Sequence, residues 1–356
     1  MRIAIDAREL AGRPTGVGRY LGEIVRSWGA MPDALEHEIV FCGHGEMTYD
    51  GPLRASIAVE RGAGTAWEQR ALPRLARASA ADVLFCPGYT GPAFDSTPLV
   101  VAIHDVSFAA HPEWFRWREG VRRRLITRAS ARRAARVLTL TEFSKREIVE
   151  HLGVPARQVD VVSPGVTPVT VGRNLSPANP EPLVFYVGSI FNRRHVPETI
   201  KGFERLARRR PDARLAIVGD NRTFPWIDLN HVVRNKDRVQ IRSYVPDDEL
   251  GELYRRARAF VFLSEYEGFG LTPLDALAAG VPIVLLDTPV AREVFADAAI
   301  YISEPNPRFV EAALELALFD EQARSDVLAR APAVVGRYSW AECARRVLAA
   351  LVDSAR

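Results

Sequence analysis

Two carboxylates stand eight residues apart in the segment SEYEGFGLTPLDALAAG, residues 264–280. Glu267 lies directly before a Gly-Phe-Gly turn, and Asp275 follows a Thr-Pro pair of the kind that begins helices. Thr272 is predicted to cap the helix, with Asp275 three residues later, as in a capping box. The segment therefore predicts a glycine turn at the start of a helix, with an acid on each side.

The turn between these two acids suits a phosphate group. Glycine lets a ligand approach the backbone closely, and the N–H groups of residues 269–274 are predicted to form an anion site at the helix N-terminus. The candidate contacts are Gly268, Phe269, Gly270, Leu271 and Thr272. Because carboxylates accept hydrogen bonds from vicinal hydroxyl groups, Glu267 and Asp275 can each hold a sugar beside the phosphate. The pattern predicts a nucleotide-sugar, in which a diphosphate joins two sugars.

Short apolar runs alternate with helix-length segments along the whole chain. The predicted strands are residues 2–7, 38–43, 82–87, 99–105, 136–141, 159–165, 183–189, 214–220, 239–245, 259–264, 282–287 and 298–303. Near-continuous apolar strands of this kind indicate parallel sheets covered by helices on both faces. We therefore predict an α/β fold with two doubly wound, Rossmann-like domains that face a central cleft, with ligands at the carboxyl ends of the strands.

A stretch rich in Pro, Asn and Gly divides the chain (TPVTVGRNLSPANPEP, 167–182) and has no hydrophobic periodicity. We predict an N-terminal domain over residues 1–168, a linker over 169–182 and a second domain over 183–337. A C-terminal helix over 338–356 is expected to cross back towards the first domain.

Bulk composition excludes several classes of protein. The chain has 356 residues and a net charge of only +3, so it is not a general polyanion binder. It contains no apolar run of the roughly 18 residues that a membrane span requires, and its charged start is unlike a signal peptide. Cys42, Cys86 and Cys343 lack the spacing of a zinc site or a disulfide framework. We expect a cytoplasmic location, with the inner face of the membrane as the alternative.

The segment around Glu267 resembles the Glu-x7-Glu signature of the retaining glycosyltransferases of family 4, which have the GT-B fold. In that family the first acid contacts the donor sugar and the second acid contacts the nucleotide ribose. The resemblance implies these roles for Glu267 and Asp275. Asp275 departs from the pattern, because it is one methylene shorter than the usual Glu.

Two further segments of the second half are similar to the same family. LVFYVGSIFNRRHVPETI matches the family pattern at Gly188 and Arg193, and Arg194 stands where Lys is usual. Two cations here would neutralise a diphosphate and the charge that develops on the leaving group, and Arg can do so bidentately. SYVPDD resembles a Gly-Tyr-Val-Pro segment, which implies that the backbone around Tyr244 and Val245 borders the nucleobase.

The first half carries two more resemblances at strand ends. Gly16 and Gly18 follow the first predicted strand and precede a helix, as in the family loop that approaches the donor diphosphate. His104 and Asp105 end the strand LVVAIHD, where the family has a His near the transferred sugar. A neutral imidazole both donates to and accepts from sugar hydroxyl groups. A turn glycine pair and a structural histidine bonded to a neighbouring loop are the alternatives.

The resemblance, which reaches from residue 3 to about 347, implies transfer of a hexose-type sugar with retention of configuration. The donor would be GDP-mannose or a UDP- or dTDP-sugar, serving as co-substrate, and the acceptor a hydroxyl group on a glycan, a lipid-linked glycan or a small molecule. Glu267, His104 and Arg194 are the expected catalytic residues. The first domain would bind the acceptor and the second the donor. No Asp-x-Asp motif stands at a strand end, so we expect neither a metal ion nor another cofactor.

The densest positive charge lies in WFRWREGVRRRLITRASARRAARV, residues 114–137, which opens with Trp114, Phe115 and Trp117. One interpretation is a solvated helix face over the first sheet. The other is a peripheral contact with anionic lipid head groups or with a lipid-diphosphate acceptor. Nucleic acid is not expected as a partner, because no recognition module accompanies the charge.

Other classes of protein share an α/β architecture of this kind. A nicotinamide dehydrogenase would need a third glycine after TGVGRY and would leave Glu267 without a role. A nucleotide-sugar epimerase, a phosphorylase and a non-catalytic nucleotide-binding relative remain as alternatives. An epimerase needs no acceptor, a phosphorylase needs phosphate, and a non-catalytic relative would bind nucleotide without turnover.

Overall fold

A computed structural model describes residues 1–12, 15–166 and 181–355. It contains two compact units, one formed by Met1–Gly165 with Ser339–Arg356 and the other by Val166–Tyr338. Most of the predicted linker, 169–182, lies outside the described residues. The C-terminal helix, which the sequence placed after the second domain and expected to cross back, belongs to the first unit.

The first unit is built on a seven-stranded parallel sheet in the order β3-β2-β1-β4-β5-β6-β7. Its strands are β1 (Arg2–Asp6), β2 (Glu38–Gly43), β3 (Arg54–Val59), β4 (Val83–Cys86), β5 (Leu99–Ala102), β6 (Arg136–Thr139) and β7 (Val159–Val161). The strand order reverses between β1 and β4. In open parallel sheets such a reversal opens a crevice at the carboxyl ends of the strands, where ligands bind.

Helices cover this sheet because its strands are apolar on both faces. The helices are α1 (Gly16–Trp28), α2 (Pro32–Leu35), α3 (Gly64–Ala78), α4 (Ser107–Ala110), α5 (Trp117–Arg133), α6 (Glu142–Leu152) and, from the chain end, α14 (Trp340–Ser354). The last helix packs on α1, where the Trp28 indole Nε1 donates to the Ala344 carbonyl at 2.9 Å. This buried bond fixes the chain end on the first unit.

The second unit is a six-stranded parallel sheet in the order β10-β9-β8-β11-β12-β13. Its strands are β8 (Leu183–Val187), β9 (Arg214–Val218), β10 (Val239–Arg242), β11 (Ala259–Phe262), β12 (Ile283–Leu286) and β13 (Ile300–Ile302). Its helices are α7 (Val196–Ala207), α8 (Leu229–Val232), α9 (Asp247–Arg256), α10 (Leu271–Ala278), α11 (Pro289–Phe295), α12 (Pro307–Phe319) and α13 (Glu321–Val335). Here the strand order reverses between β8 and β11.

The two parallel Rossmann-like sheets confirm the predicted fold class. Each predicted strand corresponds to an observed one, and β3 is the strand that the sequence analysis missed. β3 lies at the sheet edge and is mostly exposed, so its sequence RASIAV lacks the apolar signature of the others. Among the described residues, none of the helices combines the length and the apolarity that a membrane span needs.

Candidate active site

The candidate site of the second unit lies at the reversal of strand order. β8 and β11 are neighbours, so the segment after β8 (188–195) and the segment after β11 (263–270) leave the sheet side by side. Two hydrogen bonds join them: the Glu265 N–H donates to the Arg193 carbonyl at 2.9 Å, and the Arg193 side-chain Nε donates to the Tyr266 carbonyl at 3.2 Å. The glycine turn and the Arg pair, far apart in sequence, therefore form one site.

The centre of this site is an ion pair between Arg194 and Glu267. Arg194 Nε lies 2.7 Å from Glu267 Oε1, and the two side chains are only 13% and 17% exposed. The Ser264 hydroxyl donates to the same carboxylate oxygen at 2.8 Å, and Arg194 Nη1 donates to the Ser189 carbonyl at 2.7 Å. Glu267 is thus held from two sides, and its orientation is fixed before any ligand arrives.

Arg194 keeps its charge in this partly enclosed position. Burial alone would lower its pKa, but the charge of Glu267, with contributions from Tyr186, outweighs burial and raises the pKa above the usual value. The aromatic rings of Phe262 and Phe191 lie 4.8 and 5.4 Å from the guanidinium carbon, which favours a cation further. The site therefore presents a permanent positive charge next to a fixed carboxylate.

Gly188 makes room for that guanidinium. Its φ of +142° lies in the region that favours glycine. A Cβ atom at this position would stand 3.0 Å from Arg194 Nη1. Glycine is therefore required both by the backbone conformation and by the space that Arg194 occupies.

The start of α10 differs from the prediction that Thr272 caps the helix. The helix begins at Leu271, and Gly270 occupies the N-cap position with φ +112°. Thr272 already lies in the first turn, where its carbonyl accepts from the Tyr254 hydroxyl at 3.3 Å. A glycine in a left-handed conformation turns the chain into the helix two residues earlier than a side-chain cap at Thr272 would.

Two further predictions around α10 need correction. The N–H of Leu274 donates to the Gly270 carbonyl at 3.2 Å, so this group belongs to the helix and not to an anion site. Because Pro273 has no N–H, the backbone N–H groups that remain as candidate donors to a phosphate are those of residues 269–272. Asp275 is not in a capping box, because it lies in the second turn of the helix, where it is buried.

The predicted nucleobase segment lies after β10. Tyr244 is exposed at its side chain, whereas Val245 is buried, and α9 follows directly. β10 is the outermost strand of the same parallel sheet, next to β9. The segments that follow β8, β10 and β11 therefore all leave the sheet at the carboxyl ends of its strands. Its role at the nucleobase stays a prediction.

His104 follows β5 in the first unit and is buried there. Its Nε2 lies 2.7 Å from the Pro87 carbonyl, and its ring packs edge-on against Tyr20 and Tyr89, with centroids at 4.8 and 5.4 Å. Because a carbonyl can only accept, Nε2 carries the proton and Nδ1 is the acceptor. Burial lowers the pKa of His104, which favours the neutral ring. The bond to Pro87 matches the structural alternative, and Nδ1 keeps the capacity to accept from a sugar hydroxyl.

Gly16 and Gly18 follow β1 at the start of α1 and play different parts in the fold. A Cβ at Gly18 would lie 2.4 Å from the Glu9 carbonyl oxygen, whereas a Cβ at Gly16 would meet no described atom within 4 Å. Gly18 thus serves packing at the third position of α1, and the pair lies inside the helix and not in a turn before it. Packing gives no reason for a glycine at Gly16, which is exposed at the first position of the helix.

We expect Gly18→Ala to destabilise the first unit and Gly16→Ala to leave its stability unchanged. Overpacking against a backbone atom costs about 1–3 kcal/mol, and only the Gly18 variant incurs it. If Gly16 serves a ligand, its variant should instead raise the KM for the donor. Thermal unfolding and donor kinetics on both variants check this, and equal melting temperatures for the two would contradict it.

His195 is a residue of the site that the sequence analysis did not find. It ends the Arg193–Arg194 turn in a left-handed conformation, with φ +48°, directly before α7. Its Nε2 lies 2.7 Å from Glu265 Oε1, and its Nδ1 lies 3.7 Å from Glu198 Oε2. His195 therefore adds a further link between the two segments of the site.

The stability of this link should depend on pH. Burial alone would lower the pKa of His195, but Glu198 and Glu265 outweigh burial and raise it above 6.5. The stabilising contribution is therefore complete below pH 6.5 and is lost as the pH rises through the raised pKa. We expect His195→Gln to destabilise the protein more at about pH 6 than at about pH 9. Urea unfolding of both proteins at the two pH values checks this, and a constant difference would contradict it.

One cluster of side chains that could share a metal ion lies apart from the predicted site residues. Within the part of the chain that the structure describes, the one group of three or more side chains close enough to share an ion is Glu147, Glu150 and His151 on α6. These residues lie on a helix surface at ordinary i, i+3 and i+4 spacing, and none of them was predicted for the site. Exposed clusters of this kind are common without a metal ion.

The sequence matches models of known protein families over both halves. The model described as Glycosyltransferase Family 4 matches residues 14–169, and the model described as Glycosyl transferases group 1 matches residues 173–333. With two parallel Rossmann-like sheets, the chain is a glycosyltransferase of the GT-B fold. It belongs to glycosyltransferase family 4, as the Glu267 segment indicated. This membership excludes the dehydrogenase interpretation.

Two similar proteins are named as mannosyltransferases. The chain is 27% identical to the O-antigen chain mannosyltransferase B of Escherichia coli over 265 residues, which are 70% of this chain and 68% of the relative. It is 26% identical to the GDP-mannose:cellobiosyl-diphosphopolyprenol alpha-mannosyltransferase of Xanthomonas campestris, over 72% of this chain and 67% of the relative. The structure of Anabaena HepE in complex with UDP-glucose is similar, with a TM-score of 0.75 and 16% identity over 99% of this chain and 100% of that chain. This structural likeness establishes the fold alone.

Proposed function

We propose that the chain transfers a hexose from a nucleoside diphosphate sugar to a hydroxyl group with retention of configuration and without a metal ion. The observation that carries the proposal is the Arg194–Glu267 ion pair beside the N-terminal end of α10. A fixed cation, a fixed carboxylate and helix N–H groups at a reversal of strand order suit a diphosphate with a sugar attached.

The second unit supplies the proposed donor contacts. Arg193, Arg194 and the N–H groups of residues 269–272 bind the diphosphate, and Gly188 keeps the space beside Arg194 open. Asp275 accepts from the ribose, and Tyr244 with Val245 borders the nucleobase. Because two guanidinium groups and a helix N-terminus carry the phosphate charge, no metal ion is required.

The chemical step breaks the bond between the anomeric carbon and the diphosphate oxygen and forms a bond between that carbon and the acceptor hydroxyl oxygen. The hydroxyl proton passes to the leaving diphosphate. The leaving diphosphate gains negative charge, which Arg194 stabilises more strongly in the transition state than in the ground state. The anomeric carbon gains positive charge, and the Glu267 carboxylate orients the sugar and stabilises this oxocarbenium-like state. His104, held neutral, accepts a hydrogen bond from a hydroxyl group of the transferred sugar. Membership of the family supports the proposed retention of configuration.

The comparisons favour a mannosyl donor and a glycan acceptor. Both named relatives are mannosyltransferases, and the name of one gives GDP-mannose as donor and a diphosphopolyprenol-linked glycan as acceptor. HepE binds UDP-glucose on the same fold, which keeps UDP- and dTDP-sugars as second candidates. We propose GDP-mannose as donor and a lipid-linked glycan as acceptor.

The test measures turnover with GDP-mannose, UDP-glucose and dTDP-glucose in the presence of EDTA, with and without a polyprenol diphosphate-linked disaccharide. We expect release of one nucleoside diphosphate per sugar transferred, and proton NMR should find the anomeric configuration of the donor in the product. An inverted product would contradict retention. Epimerisation of the sugar without acceptor would indicate an epimerase instead, and dependence on inorganic phosphate would indicate a phosphorylase. Nucleotide binding without turnover would indicate a non-catalytic relative.

A further inference from the structure

A line of apolar side chains lies exposed on α5. Trp117, Val121 and Leu125 are 72%, 40% and 63% exposed, and their spacing of four residues places them on one side of the helix. A different side of the helix packs on the first unit through the buried residues Gly120, Thr127, Ser130 and Ala131. The helix is thus anchored by small residues while it presents large apolar ones to solvent.

A further apolar side chain lies on a loop fixed to the same helix. Phe94 is 92% exposed, and Arg133, the last residue of α5, donates to the carbonyls of Pro92, Asp95 and Thr97 on either side of it. The loop is therefore held in place, and Phe94 projects into solvent from an ordered backbone. Packing within the first unit therefore gives no reason for a phenylalanine at this position.

Exposed arginines lie beside the apolar line of α5. Arg118, Arg122, Arg128 and Arg132 are exposed on α5, and Arg123 is exposed but paired with Glu119 at 2.7 Å. The Trp114 and Phe115 rings, which the sequence suggested as part of this surface, point elsewhere: Trp114 stacks on His111 at 3.9 Å and Phe115 packs against the core. We call Phe94, Trp117, Val121 and Leu125, with Arg118, Arg122, Arg128 and Arg132, the α5 surface.

We propose that the α5 surface docks the protein on an anionic lipid bilayer. Exposed Trp, Phe and Leu side chains insert at the boundary between head groups and acyl chains, and Trp favours this boundary because its ring is amphipathic. Arginines beside them bind the lipid phosphates and keep their charge at that depth. The chain as a whole carries a net charge of only +3, so the attraction comes from this concentrated patch.

Charge argues against a second copy of the chain as the occupant. A two-fold contact would bring the same four exposed arginines of each copy against one another, with Glu119 already paired to Arg123. An anionic surface meets the same arginines with complementary charge. The apolar line and the positive charge thus select a single kind of partner, a bilayer with anionic lipids.

The test is co-sedimentation of the full chain with vesicles, in the absence of donor and acceptor. Vesicles of phosphatidylcholine alone are compared with vesicles that also contain phosphatidylglycerol. We expect binding to the anionic vesicles, weakened by salt. Phe94→Ser with Trp117→Ser and Leu125→Ser should lower the partition coefficient at least about tenfold. Arg118→Gln with Arg122→Gln should lower it about 25-fold, since each arginine near the surface contributes roughly fivefold.

The matched control is Phe309→Ser, which removes an exposed aromatic side chain from α12 of the second unit. This variant should bind vesicles like the unchanged protein, and the melting temperatures of all variants should agree because the replaced side chains are exposed. Equal binding to both kinds of vesicle, no binding to either, or unchanged binding by the α5 variants would overturn the proposal. Self-association that the α5 variants abolish would also overturn it, in favour of an interface between copies. The vesicle-binding and self-association measurements do not depend on the transferase activity.

Discussion

Replacement of Glu267 by Gln is expected to lower kcat for sugar transfer by about 100- to 1000-fold, the range found when one preorganised electrostatic group is removed from an active site. The amide keeps the shape of the side chain and an oxygen that accepts from Arg194 and Ser264. It loses the negative charge that stabilises the anomeric carbon in the transition state. The affinity for the nucleoside diphosphate alone should change little, because the proposed role of Glu267 concerns the sugar. Initial rates and calorimetric titration with the diphosphate separate the two effects.

The matched control is Glu304→Gln, which neutralises an exposed glutamate after β13 of the same unit. It should transfer sugar like the unchanged protein. A Glu267→Gln variant that keeps full kcat would contradict the role of the carboxylate. A variant with normal kcat and weakened diphosphate binding would assign Glu267 to the phosphate instead of the sugar.

Arg194→Ala is expected to weaken binding of the nucleoside diphosphate by about 10- to 150-fold, since a hydrogen bond to a charged group contributes roughly 1.5–3 kcal/mol. It should also lower the melting temperature, because Glu267 would keep its burial and lose its counter-charge. Arg194→Lys should retain part of the affinity, because it restores a charge without the bidentate geometry. Titration calorimetry and thermal unfolding measure both effects.

Arg330→Ala, which removes an exposed arginine of α13, serves as the control and should change neither quantity. If Arg194→Ala bound the diphosphate like the unchanged protein, the guanidinium would serve only to hold Glu267. In that case kcat would still fall, and the anion site would have to rest on Arg193 and the helix N-terminus alone.

The fold could be predicted from the sequence where burial is complete. Strands such as β11 and β12 are buried at every position and read as continuous apolar runs. β3 could not be found in this way, because it faces solvent at nearly every position and its sequence RASIAV contains no continuous apolar run. The start of α10 was placed two residues too late, since a glycine conformation and not the Thr-Pro pair decides where the helix begins.

The site could be predicted only in part, because sequence motifs give residue types and not contacts. Glu267 and Arg194 were assigned separately to the sugar and the phosphate, and nothing in the sequence indicated that they bind each other. Ser264 and His195 were missed because a single serine or histidine carries no pattern. The signal that could have found His195 is its position: it directly follows the Arg pair and directly precedes Val-Pro at a helix start.

The measurement that tests the central claim most directly is a binding panel of GDP, UDP, dTDP, ADP and NAD, each with EDTA and with magnesium. The account predicts that at least one nucleoside diphosphate binds with a Kd well below about 1 mM, equally with EDTA and with magnesium, and that a folded Glu267→Ala, Arg194→Ala double variant does not bind it. Binding of NAD alone, or of none of these ligands, would contradict the assignment of the second unit as the donor site.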